Sequence, residues 1–181
     1  MGIGALSARG LLGGGLGAAL VGIVARPAHA QADLDTQILQ TAASLENLAV
    51  ATYEAALGLP FFDQNATVVA FATTTRDQHA AHGEAFNALA ETPQNQPHGP
   101  GSQIVESAMP LENYMDVVTL AATLEQVATE TYVQNVSMLQ DVESKTLMAS
   151  IMGVEAQHLA TLRAVGALLG SPELILSLIH I

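Results

Sequence analysis

Glu155 and His158 stand three residues apart in a stretch with helical spacing, and so do His79 and His82 in another. Residues three apart on a helix project to the same side, so each pair can reach one ion or two adjacent ions. Alone, such a pair is common surface decoration. Two single glutamates, Glu46 and Glu125, change its weight, because each opens the same pattern, Glu-x6-Tyr, ending at Tyr53 and Tyr132. Carboxylate and imidazole together are the ligand set of iron, manganese or zinc. The chain has no cysteine, which excludes thiolate metal sites, disulfides and cysteine nucleophiles and leaves Asp, Glu and His as ligands.

These residues interrupt apolar seams. Alternating 3,4 spacing selects Met148, Ile151, Glu155, His158, Leu162, Val165 and Leu169, and likewise Ala72, Thr75, His79, His82, Phe86 and Leu89. It also selects Leu39, Ala42, Glu46, Ala49, Tyr53 and Ala56, then Val118, Ala121, Glu125, Ala128 and Tyr132. Each seam therefore carries polar groups inward near its middle. An unpartnered buried carboxylate costs several kcal/mol or more, against about 5–15 kcal/mol of net stability for a whole domain. Arg76, Lys145 and Arg163 lie off the seams, so the expectation is that a bound cation, rather than side-chain ion pairs, neutralises the three carboxylates. Tyr53 and Tyr132, seven residues beyond their glutamates, are placed to hydrogen-bond a ligand from the opposite half of the chain. Glu54, Asp77, Glu84 and Glu130 fall off the seams and read as solvated.

The elements that must position these residues are four helices, expected over Asp35–Gly58, Ala66–Glu91, Glu112–Gln140 and Val142–Gly170. Gly58-Leu59-Pro60, the polar stretch Thr92–Ser102 and Gly170-Ser171-Pro172 supply the stops. Leu45–Tyr53 aligns without gaps on Leu124–Tyr132, and His79-Ala80-Ala81-His82 lies over Glu155-Ala156-Gln157-His158. The chain thus reads as two helical hairpins in an all-α four-helix bundle, with a long connection between helices 2 and 3.

At these residues the chain resembles the bacterial ferritin-like domain family that includes desiccation-related proteins, and more distantly the rubrerythrins, which share Glu-x6-Tyr. The resemblance covers about Asp35 to Gly170. It implies a ferritin-like bundle with iron as the leading cofactor and manganese or zinc as alternatives, one or two ions, and ferroxidase or peroxide chemistry. It also implies a ligand order of glutamate, Glu-x-x-His, glutamate, Glu-x-x-His, which maps onto Glu46, His79 with His82, Glu125, and Glu155 with His158. The departure is His79, which stands where a bridging glutamate is expected. Three carboxylates cannot neutralise two divalent ions, so a single ion or an asymmetric pair competes with a paired di-iron centre. The alternative function is a structural or desiccation-stress protein with a structural or vestigial metal site.

Half of the 181 residues are apolar and aromatics are scarce, which suits one helical core. With 17 acidic against 5 basic residues the surface attracts metal cations and repels nucleic acid and anionic lipid, so neither nucleic acid nor membrane is an expected partner of the mature form. Oligomeric state stays open, a homo-oligomer included. Residues 1–30 read as an export signal: an apolar run from Gly10 to Val24, too short to span a bilayer, then Ala28-x-Ala30 as a cleavage site. Ser7-Ala8-Arg9-Gly10-Leu11-Leu12 resembles a twin-arginine signal with one arginine missing, so the route is Sec-type or a degenerate twin-arginine one, to the periplasm, envelope or exterior. The bundle is expected over residues 31–175. Leu176–Ile181 matches the translation of a common sequencing adaptor, so His180 is given no role.

Overall fold

The protein is described by a computed structural model over residues 29–90 and 111–170. Four helices make the bundle: α1 (His29–Leu57), α2 (Ala66–Leu89), α3 (Tyr114–Val136) and α4 (Val142–Leu168), with a short 3-10 turn, Phe62–Gln64, between the first two. Three of the four start on a side-chain cap. Asn65 accepts from the backbone N–H groups of Thr67 and Val68, and Asp141 accepts from Ser144. Asn113 and Asp116 cap each other's backbone N–H groups in a reciprocal box. Each cap satisfies donors that the first turn of a helix leaves open.

Helix α1 packs chiefly on α2, and α3 on α4, while contacts between the hairpins, α1 on α3 and α2 on α4, are narrower. Tyr53 meets Glu125 and Tyr132 meets Glu46, so α1 and α3 run antiparallel. Gln78 meets His158 and His82 meets Glu155, so α2 and α4 do too. It follows that α2 and α3 are parallel, and the connection between them joins opposite ends of the bundle. Its residues 91–110, like residues 1–28 and 171–181, lie outside the described residues.

The core has two apolar ends. Ile38, Leu39, Phe86, Tyr132, Leu139 and Met148 fill one, and Tyr53, Phe62, Ala72, Val118, Leu159 and Leu162 fill the other. Fully burying such large side chains contributes roughly 1.5–3 kcal/mol apiece. Between these ends lies the polar layer formed by the seam residues.

Three expectations shift. Helix α1 begins at His29 rather than Asp35. Helix α3 ends at Val136 rather than Gln140, because the Asp35 carboxylate accepts the backbone N–H groups of Gln140 and Asp141 and holds that turn open for Asp141 to cap α4. Leu169 is 49% exposed, since α4 leaves the bundle at its last turn.

Candidate metal centre

Each helix delivers its polar residues to the same level. Glu46 comes from α1, His79 and His82 from α2, Glu125 from α3, and Glu155 with His158 from α4. Five of the six are buried and His82 is nearly so, its side chain 14% exposed. Gly83 permits the approach of α1 to α2, because a Cβ there would stand 3.3 Å from that of Glu46.

The His79 ring spans the centre, with Nδ1 2.7 Å from Glu46 Oε2 and Nε2 3.0 Å from Glu125 Oε1. His158 Nδ1 lies 3.0 Å from Glu155 Oε2, and His82 Nδ1 lies 2.7 Å from Glu155 Oε1. The two tyrosines reach across the hairpins. Tyr53 donates to Glu125 Oε1 at 2.9 Å and Tyr132 to Glu46 Oε1 at 2.5 Å.

Charge in this layer differs from the sequence expectation. The three histidines themselves face the three carboxylates and, when protonated, offset their charge in the metal-free bundle. Burial alone would lower the pKa of His82, but the carboxylates of Glu155 and Glu46 outweigh it and push it up to about 9. His79 and His158 are raised in the same way, against burial, by Glu125 together with Glu46 and Glu155 respectively. Burial would raise Glu125, yet its contacts with His158 and His79 bring it down to about 2. Burial, then the adjacent carboxylates, keep both tyrosine hydroxyls protonated well beyond their usual range. In the metal-free bundle the imidazoles thus share the burial cost of the carboxylates, an arrangement that sequence order alone does not show.

A different observation favours an ion. His82 Nδ1 and Glu155 Oε1 are within hydrogen-bonding distance but out of alignment, and both are buried without a hydrogen-bond partner. Glu125 Oε2 is buried and unpartnered too. Buried polar atoms are normally satisfied, so unpartnered donor atoms of metal-binding type converging from three helices fit a missing common partner. The residues form two overlapping groups able to hold an ion: Glu46, His79, His82 and Glu155, and His79, Glu125, Glu155 and His158.

A family model of the ferritin-like domain matches residues 34–167. The chain belongs to that family. No curated protein and no solved structure matches it. In this ferritin-like domain the seam spacing brings together all six candidate ligands and both tyrosines. Glu54, Glu84 and Glu130 are exposed, and Asp77 is exposed and paired with Arg76 at 2.7 Å. Two residues at the site escaped sequence reasoning. Gln78, exposed and off the seam, offers Oε1 to His158 Nε2 at 2.8 Å, and Gly83 carries no side chain to register in a polarity pattern.

Proposed function

We propose that this protein binds iron, or a similar first-row ion such as manganese or zinc, through Glu46, His79, His82, Glu125, Glu155 and His158, outside the cytoplasm. The convergence of unpartnered carboxylate and imidazole atoms inside an otherwise apolar bundle carries this reading. The mixed oxygen and nitrogen donor set suits those metals, and the family resemblance favours iron among them. When bound, iron supplies oxidation by oxygen or peroxide. The chain's own part is to hold the ligands: Tyr132 fixes Glu46, Tyr53 fixes Glu125, and Gln78 fixes His158 through Nε2. Export rests on the apolar leader and its Ala28-x-Ala30 motif. Among the described residues no helix is long and apolar enough to cross a membrane.

The pairing of three histidines with three glutamates favours a second reading, a structural or stress-protection protein whose bundle stands without metal. Elemental analysis of protein purified without added metal, followed by oxygen consumption on adding Fe²⁺, separates the two. Bound iron with oxygen uptake supports the first reading; metal-free protein that takes up neither Fe²⁺ nor oxygen rejects it.

A further inference from the structure

The two ligand groups share His79 and Glu155, and the two residues differ in whether they can be shared. A carboxylate has two oxygens, and Glu155 turns one each way: Oε1 lies 2.7 Å from His82 Nδ1, Oε2 3.0 Å from His158 Nδ1. A neutral imidazole has one lone pair and one N–H. His79 can therefore ligate on one side and must donate on the other.

Its neighbours decide which. Beyond Nε2 stands Glu125 Oε1 at 3.0 Å, an acceptor that already takes the Tyr53 hydroxyl. Beyond Nδ1 stand Glu46 Oε2 at 2.7 Å and Glu155 Oε2 at 3.6 Å. These two carboxylates flank the unpartnered His82 Nδ1, 3.7 Å from Glu46 Oε2 and 2.7 Å from the unpartnered Glu155 Oε1. The remaining unpartnered ligand atom, Glu125 Oε2, belongs to the carboxylate that faces Nε2. A proton on Nε2 leaves the Nδ1 lone pair facing the two carboxylates that flank His82.

The four residues Glu46, His79, His82 and Glu155 form a circuit that closes through both oxygens of the Glu155 carboxylate. His79 Nδ1 is 2.7 Å from Glu46 Oε2, which is 3.7 Å from His82 Nδ1; His82 Nδ1 is 2.7 Å from Glu155 Oε1, and Glu155 Oε2 is 3.6 Å from His79 Nδ1. Four tetrahedral ligands roughly 2.0–2.1 Å from an ion lie about 3.3 Å apart, within that range. Two carboxylates with two neutral imidazoles also cancel one divalent charge. His82, the most exposed of the six, gives this side its opening to solvent.

We infer that the chain holds one divalent ion, off the bundle centre, between Glu46, His79, His82 and Glu155, with His79 ligating through Nδ1 and donating from Nε2 to Glu125. This rests on the metal-binding reading above and adds the number and place of the ion. The test is titration of the chelator-treated full chain with Co²⁺, counting ions by native mass spectrometry and following the visible bands of tetrahedral cobalt. One ion per chain is expected. His82→Ala should weaken Co²⁺ binding on the order of 100-fold and remove the tetrahedral bands, since outer partners of a ligand are already worth roughly 10–100-fold. His158→Ala should cost no more than about tenfold. Circular dichroism checks that both variants keep their helices. Two ions per wild-type chain, or an equal loss from His158→Ala, overturns the inference while sparing the metal-binding reading. No bound ion at all overturns both, and the wild-type count needs no variant.

Discussion

The ring of His79 touches a carboxylate at each nitrogen, and this double contact governs how the site answers to substitution and to pH. His79→Glu would create a second Glu-x-x-His pair and a fourth carboxylate. Native mass spectrometry should then count two ions instead of one. The same variant should melt lower than wild type when metal-free, because the added charge is buried without a cation. The pH response follows from the shifted groups. The pKa of His82 rises from 6.5 to about 9, so its contacts contribute fully below pH 6.5 and are lost as pH rises through about 9. Glu125 falls from 4.5 to about 2, so its contribution is present above pH 4.5 and lost as pH falls through about 2. Chelated protein should thus melt highest between pH 4.5 and 6.5 and progressively lower towards pH 9 and beyond. Metal affinity should move the other way over pH 6.5 to 9, since an ion must displace the His82 proton. Melting curves and chelator competition across this range check both. The six candidate ligands were legible because polar residues on an apolar seam violate a simple pattern. Their mutual ionisation was not legible, because it depends on distances between different helices.

At the scale of the helix, two glycines make opposite forecasts. Gly83 of α2 is buried, and a Cβ there would meet the Cβ of Glu46 at 3.3 Å, the Asn47 amide oxygen at 3.6 Å and the Ala43 carbonyl at 3.9 Å. Gly83→Val should destabilise the fold by about 1–3 kcal/mol through overpacking and should displace Glu46 from the site, read as a lower melting temperature and weaker Co²⁺ binding. Gly153 of α4 is exposed, and a Cβ added there would meet nothing within 4 Å, so Gly153→Ala should stabilise by roughly 0.5–1 kcal/mol through helix propensity alone. Denaturant titration of the two variants should move in opposite directions. Helix ends were readable where Gly and Pro mark them, as at Gly58-Leu59-Pro60 after α1. The end of α3 carries no such mark; it is set by Asp35, 105 residues away from Gln140, and no local signal announces a partner that distant.

For the molecule as a whole, the repeat of Glu-x6-Tyr and of the paired-ligand segments foretold two hairpins, and the spacing of the stops foretold a long link between them. A link of that length can cross the bundle, and the cross-contacts of Tyr53, Tyr132, Gln78 and His82 establish the relative directions of the hairpins. Removing the metal should lower the melting temperature, because a ligand bound only by the native state stabilises it by RT ln(1 + [L]/Kd), about 2.7 kcal/mol at a hundredfold excess over Kd. Unchanged melting after verified chelation would place the metal outside the core. The unequal packing of the bundle carries one more consequence. Contacts are extensive within each hairpin and narrow between them, yet the inferred ion takes ligands from α1 and α2 on one hairpin and from α4 on the other. Without the ion, the two hairpins should behave as separate cooperative units, whose amides exchange with solvent through independent partial openings. With it, opening either unit must break the same four bonds, so exchange across α1–α2 and α3–α4 should slow together and converge on a single global rate.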